Sequence, residues 1–261
     1  MQKEKYTFED LLEIMKILRA PGGCPWDREQ DHESLKKYLL EEAYEVLEAI
    51  DLKSPEKLCE ELGDVLLQVI FHARVAEENG QFTIADVIHC VSEKMVHRHE
   101  HVFGKKHADT ADDVIELWEN IKKKEKGSKN QTSVLKDVPA ILPALMRSYK
   151  VQEKAAKVGF DWDNVEDAWK KVREESDEFY EAFINGDLNK AGEELGDLLF
   201  AVVNVARFLN IQPELALTGT VNKFIDRFEY IESKSREAGR DLTEMTLEEM
   251  DLLWEEAKTK L

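Results

Sequence analysis

One stretch of this chain is written twice, and that repetition limits the fold more than any other feature. Residues 39–50 read LLEEAYEVLEAI and 172–183 read VREESDEFYEAF, while 60–74 read EELGDVLLQVIFHAR and 193–207 read EELGDLLFAVVNVAR. The offset is constant at 133, from Glu41 to Glu174 as from Asp64 to Asp197, and Lys57 and Lys190 obey it too. With small gaps the match continues outward. Trp26-Asp27 answers Trp162-Asp163, and Lys94 and Arg98 answer Lys223 and Arg227. TADDVIELWENIK (110–122) answers TLEEMDLLWEEAK (246–258), which aligns Trp118 with Trp254. The chain therefore reads as two modules, 1–122 and 134–261, joined by a polar linker at 123–133.

Each module carries a helix with E-E-x-x-E, a turn, a helix with E-E-L-G-D, a third helix with the Lys/Arg pair, and a last helix with Trp. Lys53-Ser54-Pro55 and Asn185-Gly186-Asp187 mark the turns. After the linker, Pro139 and Pro143 keep the chain irregular before a helix from about 142 to 157. No β-branched run alternates with polar residues as a half-buried strand would. The expected fold class is all-α.

Charge and composition remove several functions. Fifty-five acidic against 36 basic side chains give a formal charge of −19, which repels a nucleic-acid backbone, so no nucleic-acid partner is expected. Cys24, Cys59 and Cys90 show no C-x-x-C spacing, and no run is long and apolar enough for a membrane span. These features suit a cytoplasmic protein with no membrane partner.

With so many acids, a solvated helix face is the ordinary explanation for any one glutamate. The repeated set differs in its spacing. Glu175 and Glu178 are three apart on one helix, as are Glu194 and Asp197 on the next, so two antiparallel helices aim four carboxylates at one point. Such a concentration is self-repelling unless a cation sits among them. The aspartates also open the apolar runs LLFAVVNVA (198–206) and VLLQVIF (65–71), which read as helices buried between neighbours. Gly63 and Gly196 inside the same helices suggest tight packing. Oxygen-only ligands favour Mg²⁺, or Mn²⁺, over zinc. Lys223 and Arg227, four apart, and Lys190, four before Glu194, suit a polyphosphate. Trp254 suits either a core or stacking on a base. His97, His99, His101 and His107 cluster in the first copy alone and read as solvated loop residues rather than a zinc site.

E-E-x-x-E followed by E-x-x-D, in both copies, together with PGGCPWDREQ (21–30) and KVGFDW (157–162), resembles the MazG nucleoside triphosphate pyrophosphohydrolases in their tandem form. The resemblance implies Mg²⁺-dependent hydrolysis of nucleoside triphosphates to monophosphate and pyrophosphate, with broad base tolerance. It also implies homodimers whose paired modules complete four-helix bundles. By resemblance the metal ligands are Glu175, Glu178, Glu194 and Asp197, with Glu174, Glu175 and Glu178 catalytic. Substrate contacts fall on Lys171, Glu174, Lys190, Glu193, Lys223, Arg227 and Trp254. The second module is expected to hold the main site. The first keeps Glu42, Glu45, Glu61, Asp64, Lys57, Lys94, Arg98 and Trp118 as a second candidate site. Two rivals remain at this point: a non-catalytic acidic module that binds a basic partner, and a hydrolase confined to dUTP or dCTP.

Overall fold

The computed structural model describes residues 3–110, 113–114, 117–118, 121 and 131–260. All regular structure among them is helical. The chain divides into two compact units, Met1–Lys126 and Gly127–Leu261. Of the expected linker, residues 123–130 lie outside the described residues, and 131–133 open a helix.

The first unit contains α1 (Phe8–Arg19), α2 (Pro25–Glu29), α3 (His32–Asp51), α4 (Pro55–Glu78), α5 (Ile84–Arg98) and α6 (Glu100–Phe103). Local chemistry sets the boundaries. Asp31 caps α3 in a reciprocal capping box with Ser34, and Ser54 caps α4 with Pro55 at its first position. The long antiparallel pair α3–α4 is the frame. Met15, Leu35, Ile70, Phe71 and Val75 form a core where α1 lies against it.

The second unit contains α7 (Gln131–Lys136), α8 (Ala144–Ala156), α9 (Val165–Ile184), α10 (Leu188–Phe208), α11 (Pro213–Glu237), a 3₁₀ turn at Leu242–Glu244 and α12 (Leu247–Lys260). Asn164 caps α9 and Asp187 caps α10, each accepting from the backbone three residues on. The α9–α10 hairpin buries small side chains, among them Ala168, Ala182, Ala191 and Ala201. This lets the two backbones approach closely. Gly186 turns the hairpin at φ +73°, and the matching Lys53 adopts φ +53° in the first unit.

Two expectations fail here. The apolar run of α10 is buried on one side alone, because Leu199, Phe200 and Val202 are exposed. A hairpin offers one seam, and a helix apolar all round needs a second neighbour that the described residues do not supply. Among the described residues Gly63 and Gly196 pack against no neighbour either, since a Cβ at either would meet nothing within 4 Å. Exposed apolar residues continue along α5 (Ile88, Val91, Met95, Val96) and α11 (Val221, Phe224, Ile225, Phe228). No helix among the described residues is long and apolar enough to cross a membrane.

Candidate metal and phosphate site

The α9–α10 hairpin brings Glu175, Glu194 and Asp197 together, with one carboxylate oxygen of each within 4.8 Å of the others. Glu175 and Glu194 are buried and Asp197 is exposed. Glu178, expected as a fourth member, is exposed and lies close enough to Glu194 for their charges to act on each other, but it does not join that trio. Its carboxyl is raised above the usual range by desolvation and by the charges of Glu194 and Glu175. Four carboxylates thus share one neighbourhood, three as a converging set.

Two lysines already neutralise part of that charge. Lys171 ion-pairs with Glu174 at 2.8 Å and with Glu175, and Lys190 ion-pairs with Glu194 at 2.5 Å. Both ammonium groups are raised above their ordinary values by these hydrogen bonds, Lys171 most strongly. Glu194 is correspondingly lowered, first by its hydrogen bond from Lys190. Glu174 and Glu193 are exposed. Lys223, Arg227 and Trp254 make no hydrogen bond, ion pair or ring contact with the carboxylates. Instead, the Arg227 guanidinium lies 5.4 Å from the centre of the Trp254 indole, which packs at 5.0 Å from Phe224. Within one chain, then, Arg227 and Phe224 of α11 and Trp254 of α12 form a cluster of their own, and Lys223 lies on α11.

A cavity of about 570 Å³ adjoins the acids, with Glu175, Asp197 and Lys171 among its lining. Gln152, Phe160, Asp161, Trp162 and Asn204 also line it. None of these five stands at a position to which the repeated acidic and basic motifs assign a role. The doubled Trp-Asp dipeptide and the KVGFDW run were the available signal, whereas Gln152 and Asn204 carried none.

The first unit keeps the acids but not their surroundings. Glu42, Glu45 and Glu61 converge within 4.8 Å, and Asp64 is close enough to raise Glu42 after burial has done so. Glu61 is likewise raised, by desolvation and then by Glu45. Lys57, the counterpart of Lys190, pairs with Glu48 outside that trio. Tyr38 stands where the second unit has Lys171. Lys94 and Arg98 lie on α5, and Trp118 meets the ring of His99 at 5.0 Å. Among the described residues no histidine joins a group of three ligands suited to a metal ion.

All-oxygen donors at this separation, short of counter-charge, fit a hard divalent cation. Comparison with known proteins identifies the family. The model of the MazG nucleotide pyrophosphohydrolase domain matches twice, at residues 30–103 and 164–231. A protein of Thermotoga maritima named nucleoside triphosphate pyrophosphohydrolase/pyrophosphatase MazG is 47% identical, over 99% of this chain and 98% of its own. The Escherichia coli nucleoside triphosphate pyrophosphohydrolase is 45% identical over 95% of each. The uncharacterized protein YabN of Bacillus subtilis is 51% identical over 97% of this chain, which spans 52% of that protein. With two matched domains and likeness over nearly its full length, the chain belongs to the MazG family.

Proposed function

We propose that the chain hydrolyses nucleoside triphosphates to nucleoside monophosphate and pyrophosphate with Mg²⁺, or Mn²⁺ in its place, and with broad base tolerance. The observation that carries this reading is the convergence of Glu175, Glu194 and Asp197 at the edge of a cavity with aromatic lining. The names of the Thermotoga and Escherichia relatives support it.

Glu175, Glu178, Glu194 and Asp197 would hold the ion. When bound, it neutralises phosphate charge and makes a coordinated water more acidic. Glu174 or Glu175 orients the attacking water and takes its proton, and Glu178 sets the field beside Glu194. Lys171 and Lys190, already at the carboxylates, turn to the phosphate oxygens, and Glu193 lies alongside. The rings of Phe160 and Trp162 favour stacking, which accepts any base and underlies the proposed tolerance.

Lys223, Arg227 and Trp254 enter through a homodimer. The exposed apolar residues of α10 and α11 are suited to packing against a second copy into a four-helix bundle. In that arrangement the cations of α11 would reach the phosphates of a shared site. The chain's free cysteines and acidic balance suit the cytoplasm.

Pyrophosphate release from a mixture of nucleoside triphosphates, with Mg²⁺ and then with EDTA, tests the reading. Release with the metal and none with the chelator is the expected outcome. No release from any nucleotide in either condition would overturn it.

A further inference from the structure

The second unit's cavity contains polar groups for which phosphate chemistry has no use. Asn204 follows Asp197 by seven residues on α10, two turns on and on nearly the same face. That is about 10 Å along the helix, the kind of distance that separates a nucleotide's base from its phosphates. Arg207 donates to Asn204 Oδ1 from Nε at 3.1 Å and from Nη2 at 2.9 Å. The same Nη2 pairs with Asp161. A guanidinium has donors only, so the amide must present its oxygen to Arg207. Its Nδ2 hydrogens are left without a partner among the described residues.

Gln152 is held in the opposite sense. Its Nε2 donates to the Phe200 carbonyl at 2.8 Å, and its Oε1 is buried with no hydrogen-bond partner. The side chain is only 8% exposed, and an orphaned acceptor at that depth is costly. One lining residue of the cavity therefore carries an oriented donor and another a buried acceptor without a partner, with the Trp162 indole at hand.

We infer that Asn204 and Gln152 read the nucleobase, Asn204 as donor and Gln152 as acceptor, while Arg207 and Asp161 position the Asn204 amide. The inference rests on the proposed pyrophosphohydrolase reading and adds to it the groups that grade one base against another. Every nucleobase carries a donor and an acceptor side by side, so such a pair admits all of them while favouring those whose order matches. The first unit offers a contrast. Phe71 stands at the position of Asn204 and Gln68 at that of Ala201, and Phe71 belongs to the hydrophobic core. That copy has no amide at the position of Asn204, although Gln68 Oε1 is buried without a hydrogen-bond partner.

The test uses the full chain with Mg²⁺ and measures kcat/KM for the four ribo- and four deoxynucleoside triphosphates. Ribose 5-triphosphate, which has the sugar and phosphates but no base, is the reference. In Asn204→Ala the advantage of the preferred nucleotide over this reference narrows about tenfold, chiefly through KM, as loss of one hydrogen bond implies. Asn204→Asp keeps its contact with Arg207 but turns the donor into an acceptor, so bases whose donor–acceptor order places an N–H opposite this side chain rise in rank. Circular dichroism establishes folding, and if the alanine variant is unfolded the isosteric aspartate variant decides. An unchanged base ranking, or an equal fall for the base-free reference, overturns the inference while wild-type release leaves the pyrophosphohydrolase reading intact. Wild-type protein that releases no pyrophosphate overturns that reading, and this inference with it.

Discussion

The two units share their carboxylates and differ in nearly everything that touches them. In the second, Lys171 and Lys190 sit on the acids and a cavity opens beside Asp197. In the first, Tyr38 replaces one lysine, Lys57 pairs with Glu48, and Phe71 and Gln68 are buried where the second has Asn204 and Ala201. A ligand motif copied intact is therefore not a site copied intact. What separates the units is what surrounds the acids, and that drifted while the acids stayed.

The largest expected effect tests the packing side of this contrast. Phe71 is 4% exposed and belongs to the core, so Phe71→Ala should cost about 3–5 kcal/mol. Asn204→Ala should cost about 1 kcal/mol, the worth of an ordinary hydrogen bond. Urea unfolding of the two variants measures both, and equal losses would break the comparison. Next comes chemistry. Glu178→Gln should lower pyrophosphate release roughly 10²–10³-fold, the range for removing one electrostatic group from a catalytic site. The matching Glu45→Gln should leave most of it. A loss of similar size from both would assign the first unit an equal share of turnover.

A third experiment concerns an ion pair that the first unit alone possesses. Glu78 is bound by Arg19 at 2.8 Å and by Arg74 at 2.9 Å, whereas Ile211 stands at its position in the second unit. Burial raises the Glu78 carboxyl, but the hydrogen bonds and charge of Arg19 lower it further, to a net value below 4.5. A lowered native value gives stability that is complete above the unfolded pKa and lost as pH falls through the native one. Glu78→Gln should cost about 2 kcal/mol at neutral pH and flatten the decline in melting temperature below about pH 4.5. An unaltered acid limb in the variant would remove Glu78 from that account. The smallest effect concerns the turns. Lys53 holds a left-handed conformation that Gly186 adopts without strain, so Lys53→Gly should stabilise by about 0.5–1 kcal/mol, relief of strain less the added freedom of the unfolded chain. Thermal melting decides its sign.

Much of this architecture was legible in the letters. Helical spacing and capping residues gave the α3–α4 and α9–α10 hairpins, and i,i+3 carboxylates on paired helices gave the convergence. Spacing reports which face a residue occupies, not which neighbour meets that face. Glu178 therefore shared the face of Glu175 yet fell outside the converging trio, and Arg227 lies with Trp254 rather than with the acids. The cavity was hidden for a related reason. Gln152 on α8, Asp161 before α9 and Asn204 on α10 are brought together by tertiary packing alone, and no local pattern joins them.

The lysines on α9 and α10 have one more consequence. Four clustered acids resist folding in any protein, and the two units resolve the difficulty by different routes. The second supplies its own counter-ions, and Glu194 stays ionised to lower pH because Lys190 is seated on it. Among the described residues no ammonium ion-pairs with the first trio, Lys57 being paired with Glu48, and Glu42 and Glu61 retain protons to higher pH than an ordinary carboxyl. One copy offsets part of its acid charge with ammonium groups from the same helices, while in the other burial and neighbouring acids hold Glu42 and Glu61 above the ordinary carboxyl range.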